Sequence, residues 1–225
     1  LLYLKYNVGN ITIIWQNIIL INKQRYLNIL QELDHNCEDG MAYLSEDDTF
    51  RALIPELGLG DGNFETPYKL ILENNNQEWD KNFGRPKIDY ENESKKLGIE
   101  FKTLNKQYPR GKIDEYTAKK LFDDAARHSF INPFPLSNQK SVASQSVIGD
   151  IEKLLMLPPN YTKLSILHFW DNEVYSGKTH LKMLDYMVNE YYDVDTWKFE
   201  YTDSINEMST RCHVRIFKIN RKKST

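Results

Sequence analysis

The run Leu97-Gly98-Ile99-Glu100-Phe101-Lys102-Thr103 sets a carboxylate and an ammonium two positions apart inside an apolar, β-prone stretch. Strand side chains alternate faces, so Ile99, Phe101 and Thr103 point one way while Glu100 and Lys102 share the other. The apolar Leu104 follows on the charged face, which favours burial of that face. Burying an acid and a base beside a sheet costs several kcal/mol unless they pair or hold a metal. Upstream, Pro86-Lys87-Ile88-Asp89-Tyr90 is a second β-like run with another acid. The polar segment Glu91-Asn92-Glu93-Ser94-Lys95-Lys96 between them predicts a hairpin of residues 86–91 with 97–104, which brings Asp89 towards Glu100.

The remaining elements follow from spacing. Tyr26, Ile29, Leu30 and Leu33 predict a helix near 22–34. Thr66-Pro67 starts a short helix through Leu70, Ile71 and Leu72. Asp114 is placed to cap a helix with the stripe Ala118, Leu121, Phe122 and Ala125, and Ser146 one with Ile148, Ile151, Leu154 and Leu155. Leu164 to Trp170 is a buried strand, Leu181 to Tyr191 a helix, and 196–202 and 211–219 a C-terminal pair of strands. Residues 41–62 give no clear signal. The expected fold is α/β, a mixed sheet flanked by helices, in a single domain 1–225 with its core near 64–170.

Charged residues make up 27% of the chain and hydrophobic ones 40%, the balance of a folded protein that is not disordered. A net charge of −3 argues against coating nucleic acid at large but leaves room for a local basic patch. Lys102, Lys106, Arg110 and Lys112 are candidates for it; so is the tail Arg215, Lys218, Arg221, Lys222, Lys223, which otherwise reads as a frayed, solvated terminus. Cys37 and Cys212 lack metal spacing and fit a reducing, cytoplasmic interior. The stretch 1–21 is apolar but interrupted by Lys5, Asn7, Asn10, Gln16 and Asn17, too broken for a membrane span, and whether it belongs to the native chain is open. Gly177-Lys178-Thr179 resembles the end of a phosphate-binding loop, but Asn172 stands where its first glycine belongs, so a helix start is expected. His168 on its apolar strand reads as a core histidine, and Trp170, Tyr175, Tyr191, Tyr192 and Trp197 as core or rim aromatics.

An acid, ten intervening residues and then Glu100-x-Lys102 resembles the PD-(D/E)xK nuclease superfamily, and Leu97 to Thr103 is most similar to the core of MutH-type and type II restriction endonucleases. The resemblance implies a restriction-endonuclease-like fold and a DNA-binding, magnesium-dependent endonuclease acting in restriction-modification or repair. It implies Asp89, Glu100 and Lys102 as catalytic residues, and Asp89, Glu100 and the Phe101 carbonyl as ligands for Mg2+ or Mn2+. Two features depart from the family. The Pro-Asp pair is spread over Pro86 to Asp89, and the MutH-type spacing of the first acid falls on Glu93. Asp89 is preferred because it lies inside a β-like run, whereas Glu93 lies in the turn. Glu65 is a candidate for the additional acid that members carry on the helix before the hairpin. The implied partner is double-stranded DNA. The alternative is a non-catalytic protein-binding module, an immunity or regulatory partner, in which Glu100 and Lys102 form an exposed surface pair.

Overall fold

In a computed structural model, residues 23–36, 45–78, 86–104, 115–131, 146–171, 178–203 and 210–224 are described. The elements in chain order are α1 (Lys23–Asn36), α2 (Glu46–Glu56), β1 (Asn63–Pro67), α3 (Tyr68–Asn74), β2 (Lys87–Asn92), β3 (Leu97–Leu104), α4 (Glu115–Ile131), α5 (Val147–Leu155), β4 (Thr162–Asp171), α6 (Lys178–Tyr191), β5 (Tyr192–Asp203) and β6 (Thr210–Lys222). The strands form one six-stranded mixed sheet in the order β1-β2-β3-β4-β6-β5. β1, β2 and β3 run antiparallel in sequence order. β3 and β4 are parallel from Leu97↔Thr162 to Leu104↔Phe169, and β6 returns antiparallel to both β4 and β5.

Alternation along β3 and β4 divides the apolar side chains between two layers. Tyr26 and Leu30 of α1, together with Phe50, Leu53 and Ile54 of α2, close one face over Ile99, Phe101, Leu164, Ile166 and Trp170. Phe50 stacks on Phe101 with ring centroids 4.7 Å apart. Residues of α3, α4, α5 and α6 close the other face over Ile88, Leu104, Leu167 and Phe169. Each such side chain taken fully out of water contributes roughly 1.5–3 kcal/mol. Gly98 is required by this packing. A Cβ there would stand 2.4 Å from a Leu157 methyl and 2.7 Å from an Ile88 methyl, so a larger residue would push both side chains off the strand two residues before Glu100.

The expected hairpin is present with a short turn at Glu93–Lys96. Two elements lay outside the sequence expectation: α2, in the stretch without a clear signal, and β1, which runs into α3 at Thr66-Pro67. α2 is set by its cap, for Ser45 Oγ accepts the Asp48 N–H at 3.1 Å and Glu46, Asp47 and Asp48 complement the positive helix end. The expected strand over 211–219 is present and runs on through Lys222, which corrects the frayed-terminus reading of the basic tail. Arg215, Lys218, Arg221 and Lys222 belong to β6 rather than to a frayed terminus, and Arg215 is buried against Asp185, Nε to Oδ1 3.1 Å. Lys106, Arg110, Lys112, Tyr175, Cys37, Asp114 and residues 1–21 lie outside the described residues, as do the side chains of Ala118, Leu121 and Phe122. Among the described residues no helix is long and apolar enough to cross a membrane.

Candidate active site

β2 and β3 pair from Asn92↔Leu97 to Tyr90↔Ile99 and their register ends there, so the strands part at Asp89 and Glu100. Beyond that point the β3 N–H groups that would face β2 need other acceptors. Two carboxylates supply them. Asp89 Oδ2 accepts the Phe101 N–H at 2.6 Å, and Glu46 Oε2, from the first residue of α2, accepts the Thr103 N–H at 2.7 Å. Glu46 Oε1 also accepts from the Lys102 ammonium at 2.9 Å. The fork between the strands is therefore lined by carboxylates.

Glu100 is 1% exposed and held from the helical layer below it. Tyr68 Oη donates to Oε1 at 2.7 Å, and Lys153 Nζ donates to Oε2 at 2.8 Å. Lys153 is itself shared with Asp150, one turn earlier on α5, at 2.8 Å. Glu100 and Lys102 thus share a face, as expected, but each pairs with a helix and not with the other. Four carboxylates (Glu46, Asp89, Glu100 and Asp150) meet two ammonium groups (Lys102 and Lys153), a surplus of two negative charges when all are ionised.

The electrostatics follow from that surplus and from burial. Burial lifts the Asp89 carboxyl to about 6 against the opposing Phe101 N–H, with Asp150 and Glu46 adding to the rise. Burial also holds Glu100 well above the usual carboxylate range; Lys153 pulls it down, while Asp89 and Asp150 push it up. For Lys102, burial disfavours the charge, but Glu46 and then Asp150 outweigh it and the net shift is upward. One hydroxyl stands beside Glu100: Ser165 Oγ, whose residue pairs with Glu100 in the β3–β4 register, is buried without a hydrogen-bond partner among the described residues.

Of the other sequence candidates, Glu65 lies on the exposed edge of β1 beside Lys87 at 3.4 Å, and Glu93 lies in the exposed turn beside Lys96 at 3.9 Å. Neither joins the cluster. The helical acid that does reach the fork is Glu46 of α2. The reading of the sequence missed Glu46, Tyr68, Asp150 and Lys153. A signal existed for Glu46 in Ser45-Glu46-Asp47-Asp48, a cap followed by acids. Another existed in Asp150 and Lys153, one turn apart on a helix that is otherwise mostly apolar. His168 is a core residue as expected, with Nε2 2.7 Å from Tyr26 Oη.

Among the described residues no three His, Cys, Asp or Glu side chains already stand together as a metal cage. The cluster's donors are oxygens, the type a hard divalent cation takes, and Asp89 uses only one of its own in a hydrogen bond. Compared with known proteins, the chain matches no family model, no curated protein and no solved structure.

Proposed function

We propose that this chain is a metal-dependent endodeoxyribonuclease that hydrolyses DNA phosphodiesters in restriction or repair. The observation that carries the reading is the fork at Asp89 and Glu100, where four carboxylates and two lysines gather although their sequence positions span Glu46 to Lys153. The order of elements after the hairpin supports it: helices follow the strand bearing Glu100-x-Lys102, and a further core strand, β4, comes later.

Asp89, Glu100 and the Phe101 carbonyl would hold Mg2+ or Mn2+, whose chemistry is to lower the pKa of bound water and to offset charge developing on the phosphate. The protein groups do the positioning. Asp89 is oriented by the Phe101 N–H, and Glu100 by Tyr68 and Lys153. Lys102, steered by Glu46, is the group to hold the attacking water or a phosphate oxygen in line. Beyond the end of β3, Lys178 and Arg211 each stand 3.7 Å from the buried Asp171 and remain partly exposed, a basic rim suited to a phosphate backbone. The burial of Glu100, with the Lys102 side chain only 14% exposed, weighs against the alternative of a surface pair on a protein-binding module.

The test is incubation with supercoiled plasmid and Mg2+ or Mn2+, with EDTA as control. Metal-dependent nicking is expected from the native protein. It should be lost in Glu100→Gln and Asp89→Asn and reduced in Lys102→Met, with all three variants folded by circular dichroism. Cleavage unchanged in Glu100→Gln would refute the assignment.

A further inference from the structure

A cavity of about 410 Å3 lies at the far end of the sheet from Asp171, lined by Lys163, Lys218, Arg221 and Lys222 together with apolar groups including Leu157 and Ile219. Lys163 pairs in register with Gly98 at the start of β3 and with Ile219 of β6, which places it away from the carboxylate fork. Three of the four cations have carboxylate partners: Lys218 with Asp195 at 3.5 Å, Arg221 with Asp193 at 3.2 Å and Lys222 with Glu152 at 2.7 Å. Lys163 is 6% exposed and has no ion pair or hydrogen bond among the described residues. Burial alone disfavours its charge. Its ammonium keeps contact with solvent, and its three donors are free to meet an anion at the cavity it lines.

We propose that this cavity binds a small organic phosphate, a phosphomonoester carried on an apolar or aromatic body. The unpaired Lys163 supplies the first charge, and Arg221 and Lys222 at the same end of the sheet, each shared with one carboxylate, supply further donors suited to the several oxygens of a phosphate. The apolar wall suits the body, and the volume falls within the range of small-ligand sites. The site is separate from the proposed nuclease centre and does not depend on that reading.

Isothermal titration in EDTA with deoxyadenosine monophosphate, inorganic phosphate and deoxyadenosine tests it. Deoxyadenosine monophosphate should bind, inorganic phosphate more weakly, and deoxyadenosine not at all. Lys163→Met should weaken binding by about tenfold or more, while Glu100→Gln leaves it intact. In the native chain, the nucleotide should also protect Lys163 from acylation, read by mass spectrometry, which needs no variant to fold. No binding at millimolar nucleotide, equal affinity for inorganic phosphate, unprotected Lys163, or binding retained in Lys163→Met would each overturn the proposal. Binding lost in Glu100→Gln would reassign it to the carboxylate fork.

Discussion

Asp89 carries two opposing demands. Under the proposed reading its carboxylate would need its charge to hold a cation, yet its surroundings favour the proton. Because its folded-state value of about 6 lies above the ordinary 3.8, its contribution to stability is present below about pH 4 and is lost as pH rises through about 6. Asn keeps an oxygen for the Phe101 N–H and removes the charge. Asp89→Asn should therefore gain stability over the native chain across that window, by on the order of 3 kcal/mol at pH 7. Urea unfolding at pH 4 and pH 7 measures this, and an equal difference at both pH values would contradict it. Lys153 poses the converse case. Lys153→Met leaves Glu100 and Asp150 buried without their cation and should cost about 3–5 kcal/mol, whereas adding Glu100→Gln should recover part of the loss. A double-mutant cycle with no coupling would show that the buried pair does not act as a unit.

At the scale of elements, the fork depends on where α2 begins. Ser45 fixes that start, and the next residue, Glu46, supplies the acceptor for both Thr103 N–H and Lys102 Nζ. Ser45→Ala should lower stability by about 1 kcal/mol. It should also lower nicking activity more than a control change of Asp47→Ala, whose partner Arg51 is an exposed neighbour on the same helix. If the two variants lose activity equally, α2 supports the fold without positioning the site. The parting of β2 and β3 matters in the same way: an ideal ladder would have satisfied the Phe101 N–H with a β2 carbonyl and left no call for the Asp89 carboxylate.

For the whole molecule, a net charge of −3 means that DNA affinity must come from a local surface. Lys178 and Arg211 at the end of β4 are the described candidates. Binding of catalytically silenced Glu100→Gln protein to duplex DNA in Ca2+ should weaken with salt, with a log–log slope of about −0.9 for each phosphate neutralised. Lys178→Ala and Arg211→Ala should each make that slope shallower by about 1. Fluorescence anisotropy at two ionic strengths reads both effects. Absence of binding at the lower salt would favour the protein-binding alternative.

The hairpin, the strand at Leu164 to Trp170, the helices capped or striped near Tyr26, Ser146 and Leu181, and the shared face of Glu100 and Lys102 were legible from local chemistry alone. These are short-range consequences of side-chain alternation, helical period and turn residues. The strand order, and with it the site, came only from tertiary structure. Whether the tail frays or pairs with β4 depends on contacts across the sheet, since Arg215 is buried only because Asp185 of α6 meets it. Likewise, no spacing rule links Glu46, Tyr68 and Lys153 to Glu100 and Lys102. They converge because apolar burial on both faces of the sheet brings α2, α3 and α5 to the point where β2 and β3 part, and charges buried there must find partners across the fold rather than along the chain.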